Sequence, residues 1–336
     1  MNYKAKLKTI TEILLEKEDS YGELIDVVND LNKLFFDITN LDINKEENRE
    51  AIYTEEGKAI GTVWAAACVK EFMRTKKFIR GVYYGIKSAL EKFPKRPIHI
   101  LYAGTGPFAT LAIPLTSVFG SNEINFTFLE INDNSIEYLK NIIKAFEVED
   151  YIIDIIKCDA TKFKIDKNKP FQMIITETML NGLRSEPQVG ITINLVSQME
   201  EDGILIPENI KIEAALLSPK KNMERMMNAD YKGDYYSPLD TIFQLNKDTS
   251  KLYNGENRNY SFPVVDITIP KDKVEEYKDL SLLTTIKVFD DEILTHHQCS
   301  LNLPLKIISF NQENVFEKIS FQYQLSQKPS FKYDIS

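Results

Sequence analysis

Cysteine is scarce in this chain, and its three residues stand far apart: Cys68, Cys158 and Cys299 show no CxxC spacing. That argues against a disulfide scaffold and a cysteine-built zinc site, and it predicts reduced thiols in a cytoplasmic protein with no bound metal. Long apolar runs are missing too. No stretch of about eighteen or more apolar residues suggests a membrane span, and no charged-then-apolar leader opens the chain. A basic surplus is also absent: 41 Lys and Arg face 50 Asp and Glu, a formal net charge of −9. Because phosphate contacts dominate nucleic-acid affinity, this balance argues against DNA or RNA as the main partner and suits a cationic substrate. Neither an internal repeat nor a long low-complexity tract occurs.

What is present suffices for a real core. Hydrophobic residues make up 43% of 336, enough for two or three compact units. Residues 1–95 carry helical periodicity: Ile10, Ile13 and Leu14, then Leu24, Val27, Val28 and Leu31, recur at three- and four-residue steps. Residues 61–86 continue it, with Ala65, Ala66 and Ala67 allowing close packing. Over 96–205 the character changes. Short apolar runs at 99–102, 126–129, 151–156 and 173–176 alternate with helical stretches, which predicts βαβ units and a parallel sheet. One such helix places Ile136, Leu139, Ile142, Ile143 and Phe146 on one face behind Asp133 as N-cap. Residues 206–336 turn to period two, as at Ile210, Ile212, Ala214 and Leu216 and again at Ile319, Phe321, Tyr323 and Leu325, the pattern of half-buried antiparallel strands. Within them, 222–255 reads as a polar, aromatic, helix-like inserted arm. The expectation is an α/β protein: an N-terminal helical cap, a Rossmann-like core and a C-terminal β domain.

The first chemical feature is Ile100-Leu-Tyr-Ala-Gly-Thr-Gly-Pro-Phe-Ala109. A strand here runs through Tyr102 into a glycine turn, where Gly104 and Gly106 leave room for a ligand to approach the backbone. Any tight βα turn could carry two glycines, so the features that follow matter more. The second strand ends in Glu130, 26 residues past Gly104, where an acid accepts hydrogen bonds from ribose hydroxyls. The third leads to Asp159 and Ala160, where a carboxylate can accept from an adenine amino group. NAD competes for such a site. Its fingerprint needs a third glycine for close helix–strand packing, and here Pro107 and Phe108 break it. A shorter adenosyl ligand with an amino-acid tail fits better.

These residues resemble class I S-adenosylmethionine-dependent methyltransferases, and further motifs resemble the protein arginine methyltransferase-like family over roughly residues 60–325. Glu177 and Glu186, nine apart after the fourth strand, look like that family's double-glutamate loop. Thr295-His296-His297-Gln298 looks like its Thr-His-Trp loop, with His297 in place of tryptophan. Arg74, in Met73-Arg74-Thr75, resembles the helix arginine that binds the cofactor's methionine carboxylate. The block from Gly203 to Pro207 resembles the strand leading into the family's β-barrel, so the third unit is expected to be β-barrel-like. Three departures stand out: Tyr102 replaces the usual Asp at the first strand's end, Phe108 replaces a glycine, and Arg184 lies between the glutamates.

The resemblance implies S-adenosylmethionine as cofactor and N-methylation of an arginine-type guanidino group. The chemistry accounts for the residue types. A guanidinium is always protonated and a poor nucleophile, and two carboxylates can hold it by paired hydrogen bonds and aim one nitrogen. His296 would buttress the glutamates or pass on the released proton. A helical cap without obvious peptide- or nucleic-acid-binding extensions points to free arginine, a small metabolite or a short peptide as acceptor. A non-guanidine acceptor on nitrogen or oxygen remains an alternative, above all if Arg184 pairs with either glutamate. A non-catalytic module that keeps the fold for binding is a third reading. The resemblance also implies a homodimer, because the family often dimerises through an arm in its β region and 222–255 would supply one.

Overall fold

The computed structural model describes residues 2–16, 20–95, 97–166, 168–228, 230–253, 262–311, 314 and 316–336. Helices α1 (Tyr3–Leu15) and α2 (Tyr21–Thr39) come first, followed by a short hairpin of β1 (Ile52–Thr54) and β2 (Gly57–Ala59). Next are α3 (Thr62–Ala67) and the long α4 (Phe72–Lys92). The continuous helical pattern expected over 61–86 is thus interrupted by a 3₁₀ turn at Cys68–Lys70, and Glu71 begins α4 afresh. The hairpin was not foreseen, because strands of three residues are too short to show alternation.

The central unit contains β3 (Ile98–Ala103), β4 (Ile124–Glu130), α5 (Asp133–Phe146), β5 (Ile152–Lys157), β6 (Met173–Thr176), α6 (Gln188–Val196) and β7 (Ile204–Ile206). Its strands pair in the order β5-β4-β3-β6-β7, all in parallel. The chain therefore winds outward from β3 in one direction and then resumes on its other side at β6. At such a switch point the loops diverge and leave a crevice at the carboxyl ends of the strands. The cap of α5 is Asn132 rather than Asp133: its side chain accepts from the Asn134 and Ser135 amides at 2.9 and 3.4 Å, and Asp133 is the first helical residue.

The remaining chain is mainly antiparallel: β8 (Asn209–Leu217), α7 (Pro219–Met227), β9 (Tyr236–Asn246), α8 (Lys247–Leu252), β10 (Val265–Thr268), β11 (Asp279–Phe289), β12 (Glu292–Leu294), β13 (Leu305–Ser309), β14 (Lys318–Gln324) and β15 (Ser330–Ile335). One sheet runs β12-β11-β8-β9 with β13 also on β11, and a second runs β10-β14-β15. The sheets meet through aromatic side chains, with Phe243 of β9 stacked on Tyr323 of β14 at 5.1 Å. Ile319, Phe321 and Tyr323 are buried as their alternation predicts. The stretch expected as a helix-like arm holds the strand β9 between two short helices, and its residues 229, 254 and 255 lie outside the described residues. Among the described residues, no helix is long and apolar enough to cross a membrane.

Helices α1 and α2 pack on the flank of the parallel-sheet unit. Phe35 of α2 is fully buried, its ring 5.0 Å from Phe108 and 6.2 Å from Phe146 of α5. Phe108, the residue that breaks the third motif glycine, is thus a core anchor for the N-terminal helices. Phe35→Ala should leave a cavity at this joint and lower the unfolding free energy by about 3–5 kcal/mol, read as a shift in the denaturant midpoint. A change below about 1 kcal/mol would show that the helices do not depend on this contact.

Candidate active site

The crevice at the switch point is a cleft of about 560 Å³, within the usual range for small-molecule sites. Its floor is the glycine turn after β3. Gly104 and Gly106 have φ of +75° and +60°, and a Cβ at Gly104 would collide with Thr178 at 2.2 Å. Only glycine meets both demands there. Beside the turn, Glu130 at the end of β4 accepts from the Gly106 amide at 2.8 Å and from the Ile131 and Asn132 amides at 2.8 and 3.0 Å. Burial raises its pKa, and these hydrogen bonds act against that rise. Just past the end of β5, Asp159 Oδ1 accepts from the amide and hydroxyl of Thr161, at 2.9 and 2.7 Å. Its Oδ2 takes no hydrogen bond among the described residues, and Ala160 lines the cleft beside it. Tyr102 also lines the wall, almost wholly buried, and burial moves its hydroxyl far above the usual tyrosine range.

The two glutamates come together in the same cleft. Glu177 leaves the end of β6, and its flanks are pinned by the buried Gln188, which accepts from the Thr178 amide at 2.8 Å and donates to the Thr176 carbonyl at 3.2 Å. Glu186 returns from the far end of a loop whose shape is costly: Gly182, Leu183 and Ser185 all have positive φ. The antiparallel unit holds that shape. Tyr323 donates to the Leu183 carbonyl at 2.8 Å, the Ser185 amide donates to the Pro329 carbonyl at 2.8 Å, and the Gly182 amide donates to Thr284 at 2.9 Å. Burial first, then the neighbouring Glu177 charge, pushes the Glu186 carboxyl up to about 7.

Arg74 sits between carboxylates. Its Nε donates to Glu177 Oε2 at 3.1 Å, its Nη2 bonds the same oxygen, and its Nη1 reaches Glu71 at 2.8 Å. Burial opposes this charge most strongly, but Glu177, Cys68 and Glu71 together offset it and raise the guanidinium pKa above its ordinary value. Glu177 Oε1, by contrast, is buried without a hydrogen-bond partner. Arg184 does not enter: it is exposed and its Nε donates to Asn181 at 3.1 Å. The pairing of Arg184 with a glutamate, on which the non-guanidine alternative turned, is not seen among the described residues, and Arg74 is the cation that meets Glu177.

His296 is the predicted residue that the structure places elsewhere. Its ring packs edge-on against Tyr236 at 5.3 Å, His297 packs against Tyr235 at 5.6 Å, and neither lines the cleft. Burial lowers the pKa of both, His297 to about 4. The loop turns its other end inward instead: the Ser300 amide and hydroxyl donate to Glu71 at 2.6 and 2.8 Å. Burial alone would raise the Glu71 pKa, yet these bonds and Arg74 hold it below the usual carboxylate range. Glu71, Ser300, Lys58 and Trp64 line the cleft although no motif named them as site residues. The three-residue step from Glu71 to Arg74 at a helix start was the readable sign for Glu71. Trp64 is 53% exposed at the cleft. No residue of α1 or α2 is among the lining residues.

No protein-family model and no curated protein sequence matches the chain. Solved structures do. The architecture, a parallel doubly wound sheet followed by an antiparallel unit, is similar to the Rossmann-like methyltransferase fold found in protein arginine methyltransferase structures. One is the Trypanosoma brucei PRMT1 enzyme–prozyme heterotetrameric complex with AdoHcy, at 11% identity and TM-score 0.51, covering 80% of this chain and 91% of that one. Arabidopsis thaliana protein arginine methyltransferase 10 matches at 12% identity and TM-score 0.50, over 75% of this chain and 84% of its own. PRMT6 with SAH matches at 11% and 0.51, over 77% and 96%.

Glu186 has a consequence for stability. The unfolded chain releases this proton from about pH 4.5 upward, whereas the folded chain keeps it until about pH 7. Stability from this group is therefore lost as pH rises through that window. Glu186→Gln should exceed the wild type by about 1–3 kcal/mol at pH 8, the gap closing towards pH 4.5. Denaturant midpoints across pH read this directly, and a gap independent of pH would exclude the titration.

Proposed function

We propose that this protein is an S-adenosylmethionine-dependent N-methyltransferase acting on a guanidino group of free arginine, a small metabolite or a short peptide. The observation that carries the reading is the convergence of Glu177 and Glu186 on one cleft, with Glu177 Oε1 buried and unpartnered beside the glycine turn. A buried carboxylate oxygen without a donor is costly unless a ligand supplies one, and a cationic N–H is the donor that best meets it. The charge balance agrees: Glu71, Glu130, Asp159, Glu177 and Glu186 line the cleft against Lys58 and Arg74.

The residues present suit the cofactor. The turn at Gly104 and Gly106 admits a ligand against bare backbone, Glu130 lies at the ribose position, and Asp159 Oδ2 is open to an adenine amino group. Arg74 uses three of its five N–H groups on Glu71 and Glu177, which leaves two for a methionine carboxylate. S-adenosylmethionine supplies, when bound, an electrophilic sulfonium methyl. The protein's part is positional. Arg74 occupies Glu177 Oε2 and so presents Oε1 to the acceptor. Glu186 completes a two-point hold on the guanidinium and orients one nitrogen, and its raised pKa suits it to take up the proton that this nitrogen loses. His296 has no role in this scheme.

A second reading keeps methyl transfer but not the guanidine. It is favoured by Arg74, whose own guanidinium already satisfies half of Glu177, so that a smaller ammonium or hydroxyl acceptor would suffice. The protein is further proposed to be cytoplasmic, in keeping with its three free thiols, and homodimeric. Helix α7 supports the dimer by exposing Met223, Met226 and Met227, at 63%, 72% and 82%, on the arm. Light scattering at working concentration should give twice the chain mass, and a monomer would exclude the dimer.

Mass spectrometry after incubation with labelled S-adenosylmethionine tests the activity against free arginine, arginine peptides, other amino acids and small amines. Transfer to a guanidino nitrogen is expected, reduced about 10²–10³-fold in Glu177→Gln. Transfer to amines alone would replace the guanidine reading with the second one, and cofactor binding without any transfer would leave a non-catalytic module. For the active enzyme, kcat/KM should rise as pH passes about 7, the value at which Glu186 becomes a carboxylate. A profile flat from about pH 6 to 8 would remove Glu186 from that role.

A further inference from the structure

We infer that Lys58 is the anchor for a carboxylate on the acceptor, so that the preferred substrate is a free guanidino acid rather than an arginine within a polypeptide. This rests on the guanidine reading above and narrows it.

Two cations line the cleft, and their situations differ. Arg74 is paired on one side with Glu177 and on the other with Glu71. Lys58 makes no ion pair with any acid among the described residues, although five acids share the cleft with it. The residue is half-buried and lines the cleft. Such a charge is stabilised when an anion completes it.

Its position associates that anion with the acceptor. Lys58 lies on β2, and its amide donates to the Ser185 carbonyl at 2.9 Å, one residue before Glu186. The hairpin presses close at the same point: a Cβ at Gly57 would meet the Pro187 nitrogen at 2.8 Å. The lysine is therefore seated by backbone contact on the loop that delivers the second glutamate. Its charge also acts on the Glu186 carboxyl, lowering a pKa that burial and Glu177 raise. A guanidinium held at Glu177 and Glu186 would thus extend its far end towards a flexible ammonium on a four-carbon stem. A free guanidino acid ends in a carboxylate and matches this arrangement of charge. A peptidyl arginine offers a neutral amide there and leaves Lys58 unmet.

Calorimetry on the full-length protein loaded with S-adenosylhomocysteine decides the point, using free arginine, argininamide and an internal-arginine peptide as ligands. The wild type should bind free arginine at least about tenfold tighter than argininamide, equivalent to about 1.4 kcal/mol. Lys58→Met should reduce that preference to within about twofold, and Lys58→Arg should retain most of it. Affinity for S-adenosylhomocysteine, measured separately, should stay within about twofold in both variants. A preference that survives in Lys58→Met, or peptide binding as tight as that of free arginine in the wild type, would overturn the inference and leave the guanidine reading standing. So would a loss of S-adenosylhomocysteine affinity without a change in acceptor preference, which would assign Lys58 to the cofactor. Failure of the wild type to bind any of the three guanidines would overturn the inference together with the reading beneath it.

Discussion

Arg74 stands where three parts of the molecule meet, and the cleft takes its geometry from the way this one guanidinium is shared. It begins on α4, reaches Glu71 at the head of its own helix and Glu177 at the end of β6, and through Glu71 is tied to Ser300 of the antiparallel unit. A planar fork of five donors can do this where a lysine could not, because it bonds two carboxylates at once in fixed directions. Without it, Glu177 would lose the cation that holds its Oε2, and Glu71 would keep only its hydrogen bonds from Ser300. With it, Glu177 Oε2 is held, while Oε1 stays buried without a hydrogen-bond partner among the described residues.

The antiparallel unit supports the site from behind. The loop between Glu177 and Glu186 passes through three left-handed residues, a conformation that would relax if left alone. Tyr323, Pro329 and Thr284 hold it by hydrogen bonds that span more than a hundred residues of chain. From the other side the β1–β2 hairpin is fastened at Ser185, which places Lys58 next to the loop it caps. Helices α1 and α2 contribute differently: they brace the flank through Phe35, Phe108 and Phe146 and stay out of the cleft. Elements from three directions thus fix the charged groups that line the cleft.

Much of this was readable along the chain. The four parallel strands from β3 to β6 lie within a residue or two of the apolar runs that announced them, three of them because a buried strand needs a continuous apolar stretch, while the edge strand β5 keeps its apolar run partly exposed. Gly104, Gly106, Glu130 and Asp159 were legible for the same local reason, since a doubly wound sheet places strand ends at regular intervals. Arg74, Glu177 and Glu186 were legible only as a resemblance. The less successful readings were those of short or context-dependent features. Asn132 took the cap assigned to Asp133, the hairpin was too short to show a pattern, and β9 was hidden in a stretch read as helix-like. His296 fitted a motif, yet the turn around His297, at φ +65°, directs both rings towards Tyr235 and Tyr236.

By itself, then, the order of residues determined the parallel strands, because each depends on an apolar pattern within about ten residues, and it placed acids and glycines at their ends. Only the tertiary structure decided how those charges are paired: that Arg74 rather than Arg184 meets Glu177, that Glu71 and Ser300 stand behind it, and that Lys58 is left free among the described residues. Pairing of buried charges is settled by which side chains the packed fold brings within hydrogen-bond distance, and that distance is set by contacts far apart in the chain. No local pattern encodes it.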